Sequence, residues 1–307
     1  MHAMSLDRRG LLLLVVLTIA WGVNWPIMKI GVAHFPAMGF RLLCMAGGVV
    51  ALGLALRVRG ESLRVPRAQW ATIVKLAIPN MVFWHLLAIC AVKMLSSGRA
   101  AILGYTMPIW AVVWGLVLYR DRIGASAWVG IGCALAGTVL LLSGEIRALT
   151  GSPAGTLLML AAAAGWGFGT QLMKRTQIDI PIGTLTFWML TVTLPFLAAG
   201  TLLLETGWRM PNAAEWGAIA YNAVVVFAYC HLVWFALARN LPPVVSSLSV
   251  MFIPVVGVFS GMWMLGEQPH WQDYTAIALM FAALSSVMLV PLLRRRLQAG
   301  AARGDFT

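Results

Sequence analysis

Residues 10–31, GLLLLVVLTIAWGVNWPIMKIG, run for 22 positions with a single charge, Lys29. About 20 mostly apolar residues is the length at which a helix crosses a bilayer. Residues 154–173, AGTLLMLAAAAGWGFGTQLM, are a second such run, and the two correspond. Trp21-Gly22 returns as Trp166-Gly167 and Met28-Lys29 as Met173-Lys174, each 145 residues on. At a separation of 146, His85-Leu86 matches His231-Leu232, Lys93 matches Arg239, Pro108 matches Pro254, Gly115 matches Gly261 and Asp121 matches Glu267. One insertion reconciles the two registers, so one structural unit is written twice.

The rest of the chain fits between these landmarks. Spans are predicted over 10–31, 36–56, 69–90, 98–119, 124–142, 154–173, 181–203, 214–237, 244–265 and 273–293. Of all residues 61% are hydrophobic and 10% charged, and a soluble globule could not be covered with so few charges. The fold class expected is an all-α integral membrane protein of ten transmembrane helices. Residues 1–143 hold the first five-helix repeat, 154–293 the second, and 294–307 a cytoplasmic tail. Arg8-Arg9 before an apolar run resembles a signal peptide, but no small-x-small cleavage site follows, and the run is taken as the first span. Cys44, Cys90, Cys133 and Cys230 all fall in apolar runs with no C-x-x-C pair, which argues against disulfides and zinc.

Because five is odd, the second unit crosses the membrane inverted relative to the first. Inverted repeats serve alternating access: exchanging the conformations of the halves turns an outward-open carrier into an inward-open one around a midplane site. The net charge of +12 does not point to nucleic acid, since Lys and Arg lie singly or in short clusters between apolar runs. They read as topology signals. Fifteen Lys and Arg lie on the side of the N-terminus against five on the other, which places both termini in the cytoplasm.

Several of these stretches together resemble the ten-span EamA group of the drug/metabolite transporter superfamily. They are Trp21-Gly22-Val23-Asn24, Arg41, Ala91-Val92-Lys93 with Ser96-Ser97, Met107-Pro108-Ile109, Ile253-Pro254-Val255 and Leu265-Gly266-Glu267. The chain departs from the group after the fourth span, where Arg120-Asp121-Arg122 stands in place of the usual Gly-Glu pair. The resemblance implies a metabolite exporter of a bacterial inner membrane, often for amino acids or amphipathic solutes.

All ten carboxylates lie in loops or at span ends, which disfavours a carboxylate as the proton site. The mid-span ionisable groups are the repeat-equivalent His85 and His231, able to titrate or to bond a substrate while neutral. Their neighbours in a substrate-binding lining are expected to be Trp21, Asn24 and Trp25, Trp84, Tyr105 and Trp110, Trp166 and Gln171, with Ser246 and Ser249. Aromatic walls with a few hydrogen-bonding groups suit an amphipathic or aromatic solute. Arg41, one to two turns inside the second span, is expected to tie that span to its neighbours. Pro108 and Pro254 are expected as paired bend points in gating, each followed by a small-xxx-small step, Ala111 to Gly115 and Gly257 to Gly261.

The expected activity is secondary-active or facilitative export of small amphipathic metabolites, foremost neutral or aromatic amino acids, through a central cavity. A drug-like solute exporter and a lipid-precursor flippase stay open alternatives. An integral-membrane enzyme would need paired acids, an exposed nucleophile or a phosphate loop, and no such motif is present. No catalytic residue, metal or cofactor is expected. The expected partners are the small-molecule substrate and membrane lipid, with no nucleic acid and with the chain acting as a monomer or homodimer. Proton antiport through a histidine and facilitated exchange are both open on sequence grounds.

Overall fold

Long runs of Leu, Ala, Val and Met can satisfy their backbone groups in lipid only by closing hydrogen bonds within the segment, and helices result. The computed structural model describes residues 8–147, 152–231, 233 and 243–290, and in these the main helices are ten. They are α1 (Arg8–Val32), α2 (Ala37–Val58), α3 (Arg67–Met94), α4 (Ser97–Tyr119) and α5 (Ala125–Arg147), then α6 (Pro153–Arg175), α7 (Ile182–Leu204), α8 (Ala213–Cys230), α9 (Pro243–Leu265) and α10 (Trp271–Leu284). Among the described residues α1 to α8 each carry a stretch long and apolar enough to cross a membrane. Exposed Leu54, Leu202, Leu203 and Trp263 give the outside an apolar surface suited to lipid. Helix starts are marked by caps: Ser152 accepts from Gly155 N at 3.2 Å, and Asn212 and Glu215 form a reciprocal capping box.

Packing follows the duplication. α1 lies on α9, and its counterpart α6 lies on α4; α2 packs on α8, and α7 on α3; α5 and α10 pack on each other. Every one of these contacts joins one half to the other, so the inverted halves interlock rather than sit side by side. Close approaches need small residues at the crossing. A Cβ added to Gly48 of α2 would lie 2.4 Å from the Cβ of Phe227 on α8. The small-xxx-small steps pack within the chain too, Gly257 facing Ala101 and Gly261 facing Ser97.

Two features were not legible in the repeat pattern. α3 and α8 each contain a π-helical stretch, Ile78–Phe83 and Tyr221–Cys230, at corresponding positions just before the two histidines. Wider turns of this kind re-aim the face of the helix that follows. The second feature is the turn after α4. Arg120 adopts φ 55°, the left-handed conformation that Gly266 adopts at φ 65° after α9. Asp121 N then donates to Gly115 O at 3.0 Å, as Glu267 N does to Gly261 O at 3.4 Å. Both acids fold back beside the glycine of their own helix, so the Arg-Asp-Arg departure preserves the geometry of the Gly-Glu turn. Their partners differ: Asp121 is held by Arg175 of α6 at 2.6 Å, while Glu267 accepts from Ser97 N at 2.6 Å, Ser97 Oγ at 2.8 Å and Gly98 N at 3.2 Å.

The end of the molecule that carries Glu267 is tied further. Glu205, after α7, caps the start of α2 through Met38 N and Gly39 N, each at 2.9 Å. Lys29 donates to the carbonyls of Val92, Lys93 and Leu95 at the end of α3. Arg99 pairs with Asp273 at 2.7 Å, and Arg209 pairs with Glu215. Lys29, Arg99 and Arg209 at this end thus spend their charge on helix ends and acids.

Candidate functional site

The interlocked halves leave a cavity of about 460 Å³ between α1, α2, α3, α4, α6, α8 and α9. Aromatic contacts build its wall. Trp84 of α3 meets Trp166 of α6 edge to face at 5.4 Å between ring centroids. Trp25 meets Tyr105 at 6.4 Å where α4 is interrupted between Gly104 and Met107, and Gly104 leaves room for Trp25 and Trp84, which a Cβ there would meet at 2.8 and 3.4 Å. Trp21 stands edge-on to His231 at 6.3 Å, and Phe227 stacks on His231 at 6.1 Å. Flexible thioethers fill the rest, from Met28, Met81 and Met107.

The polar groups in this wall are few and unusual. Six buried side-chain polar atoms among the described residues have no hydrogen-bond partner, and three of them, Asn24 Oδ1, Arg41 Nε and His85 Nδ1, belong to residues lining this cavity. Buried polar atoms without partners are costly, and half of the six belong to residues around this one cavity. The two histidines differ despite their symmetry. His231 Nδ1 donates to Val226 O at 2.8 Å inside the wide turn of its π segment, whereas His85 is buried against Phe227 at 5.5 Å.

Of the residues singled out in the sequence, Trp21, Asn24, Trp84, His85, Tyr105, Trp166 and His231 line the cavity, as does Trp25. Gln171 and Trp110 do not. Gln171 Nε2 donates to Ala111 O at 2.5 Å and its Oε1 accepts from Arg175, which turns the side chain into the α4–α6 contact. Trp110 is set against Gly167 in the same contact. Ser246 and Ser249 lie outside the residues whose side chains are described. Pro108 begins the second segment of α4 just after its interruption, and Pro254 is buried inside α9. Sequence reasoning passed over Phe227, the three methionines and Thr170, and gave Arg41 no place in the lining. Among the described residues no group of three or more His, Cys, Asp or Glu comes together to hold a metal.

The sequence profile of the EamA-like transporter family matches residues 8–143 and again 153–289. The chain belongs to the EamA-like transporter family. It is a multi-pass membrane transporter with two EamA units, and its substrate is a small molecule. Its relatives agree over nearly their whole length. It is 28% identical over 295 residues to the uncharacterized inner membrane transporter YedA of Escherichia coli (strain K12), covering 90% of this chain and 89% of that one. It is 24% identical over 299 residues to a probable amino-acid metabolite efflux pump of Salmonella typhimurium (strain LT2), covering 91% and 94%. A solved crystal structure superposes with a TM-score of 0.65 over 92% of this chain and 98% of the other; at 21% identity the likeness is one of fold.

Proposed function

We propose that this EamA-family transporter exports small amphipathic metabolites, foremost neutral or aromatic amino acids, by alternating access through the central cavity. The observation that carries the reading is the cavity's composition: aromatic walls with three unpartnered polar atoms, in about 460 Å³, within the range of small-molecule pockets. A bare ion would not need the aromatic wall, and a sugar would need more hydrogen-bonding groups than the wall supplies. The efflux-pump name carried by the Salmonella relative supports the direction and the solute class. In this reading Trp84 and Trp166 hold the apolar part of the solute, His85 and Asn24 bond its polar part, and Pro108 and Pro254 mark the bends about which the halves rock. Both termini face the cytoplasm of an inner-membrane protein, on the fifteen-to-five charge bias, and a C-terminal reporter enzyme that works only in the cytoplasm should be active.

The experiment is counterflow of labelled tryptophan, phenylalanine, methionine and threonine in proteoliposomes, with and without a pH gradient. Uptake that saturates and is competed by unlabelled solute is expected for the aromatic pair, and a response to the gradient would identify proton coupling. No flux of any of the four by correctly inserted protein would sink the amino-acid reading and turn the search to drug-like or lipid solutes.

A further inference from the structure

Among the described residues lining the cavity, Arg41 carries a charge that no ion pair balances. It is 4% exposed, on α2, with its guanidinium among α1 and α8 side chains. Nη1 donates to Asn222 Oδ1 at 3.2 Å and Nη2 points at Met28 Sδ at 2.8 Å, while the carbon of the guanidinium lies 5.6 Å from the centroid of the Phe227 ring. Neither acceptor is charged, a thioether is a weak one, and the buried Nε has no acceptor at all. The acids of the described ion pairs are Asp121, Glu215 and Asp273, each taken by another arginine. A guanidinium stays protonated in proteins, and a buried cation without a counter-charge is strongly unfavourable.

A purely structural cation serving the fold of each repeat would recur in the second half. The corresponding position of α7 is Thr186 or Phe187, in either register of the repeat, and neither is basic. The charge is therefore particular to this cavity and not to the five-helix unit. A planar fork with donors to spare, on a side chain that lines the cavity, is the group that takes a carboxylate through two parallel bonds.

We propose that Arg41 receives the carboxylate of the transported solute, displacing the weak Met28 contact, so that the protein selects amphipathic molecules bearing one carboxylate. The inference rests on the reading that amphipathic solutes occupy this cavity. The apolar portion then lies along Trp84 and Trp166. The unpartnered oxygen of Asn24 is an acceptor and can take an ammonium group, which a free amino acid has and a simple carboxylic acid lacks. A decarboxylated amine would bring a second positive charge to Arg41 and be rejected.

The test uses the full-length protein in lipid nanodiscs and four probes: L-phenylalanine, 3-phenylpropionate, L-phenylalaninamide and phenethylamine, with ligand-induced thermal stabilisation as the readout. The two carboxylates should bind at least about tenfold more tightly than the amide and the amine. Arg41→Gln should erase that difference and Arg41→Lys keep part of it. The comparison of probes on the unaltered protein needs no variant and decides the matter even where a variant fails to fold. Equal binding of the acids and of their amide and amine counterparts overturns the proposal, as does binding of none of the four. Binding of 3-phenylpropionate that depends on Arg41, with no amino-acid counterflow, would remove the amino-acid reading and leave the carboxylate site standing. Amino-acid counterflow undiminished in a correctly inserted Arg41→Gln protein would do the reverse.

Discussion

Arg120 shows how a single residue can depart from a pattern and still obey its geometry. It is exposed and left-handed at φ 55°, where the matching turn of the second half uses Gly266. A side chain in that conformation costs about 1–2 kcal/mol, and a glycine there gives back about 0.4–1 kcal/mol through its freer unfolded state. Arg120→Gly should thus stabilise the protein by up to about 1.6 kcal/mol in thermal unfolding, the difference of those two effects. A lower melting temperature would mean that Arg120 makes a contact worth more than its strain. At this scale the cavity was largely legible: Trp21, Asn24, Trp84, His85 and Trp166 were found because polar and aromatic groups inside an apolar run rarely sit there idle. Arg41 was expected to tie α2 to its neighbours, and its contacts with Asn222 of α8 and Met28 of α1 do so; that it also lines the cavity was not legible, because sequence gives its depth along α2 but not its direction. Snorkelling outward and reaching inward look alike until Asn222 and Phe227 of α8 are placed beside it. Gln171 was misplaced for a related reason, since its partners Ala111 and Arg175 lie 60 residues behind and four residues ahead.

Between elements, the halves are joined at helix ends by carboxylates that cross from one repeat to the other. Glu267 follows α9 and accepts from three donors at the start of α4, two of them backbone amides. Bonds to a charged acceptor are worth about 1.5–3 kcal/mol against about 0.5–1.5 kcal/mol for neutral ones. Glu267→Gln should therefore cost about 1–2 kcal/mol. In a double-mutant cycle with Ser97→Ala the two changes should couple by more than about 0.5 kcal/mol, because they share one bond. Strict additivity would show that the contact contributes nothing. The helices themselves were readable from apolar length, and their order from the 145- and 146-residue registers. The π-helical stretches were not. Pro79 removes a backbone donor at the start of the first and is a retrospective signal for it, but Tyr221–Cys230 contains no proline and carries no comparable mark. It packs on α2, where Phe227 seats against Gly48.

For the molecule as a whole, duplication with inversion explains why the cavity exists. Each half supplies helices to the wall, a π-distorted one before its histidine among them, and interlocking them through α1 with α9 and α6 with α4 leaves a cavity at their meeting. The symmetry is one of scaffold and not of chemistry, since Arg41 has no basic counterpart and the two histidines have different surroundings. Under the proposed alternating access, an asymmetric lining on a symmetric frame would let two conformations interchange around one midplane site. The most direct test is counterflow of labelled tryptophan in proteoliposomes, run on the unaltered protein beside His85→Ala and Trp166→Ala at matched, verified insertion. The account predicts saturable uptake competed by unlabelled tryptophan, reduced at least about tenfold in each variant, since losing a hydrogen bond or an aromatic contact at the site costs on the order of 1.4 kcal/mol. Flux that is equally fast in both variants would place the transport path elsewhere and contradict it.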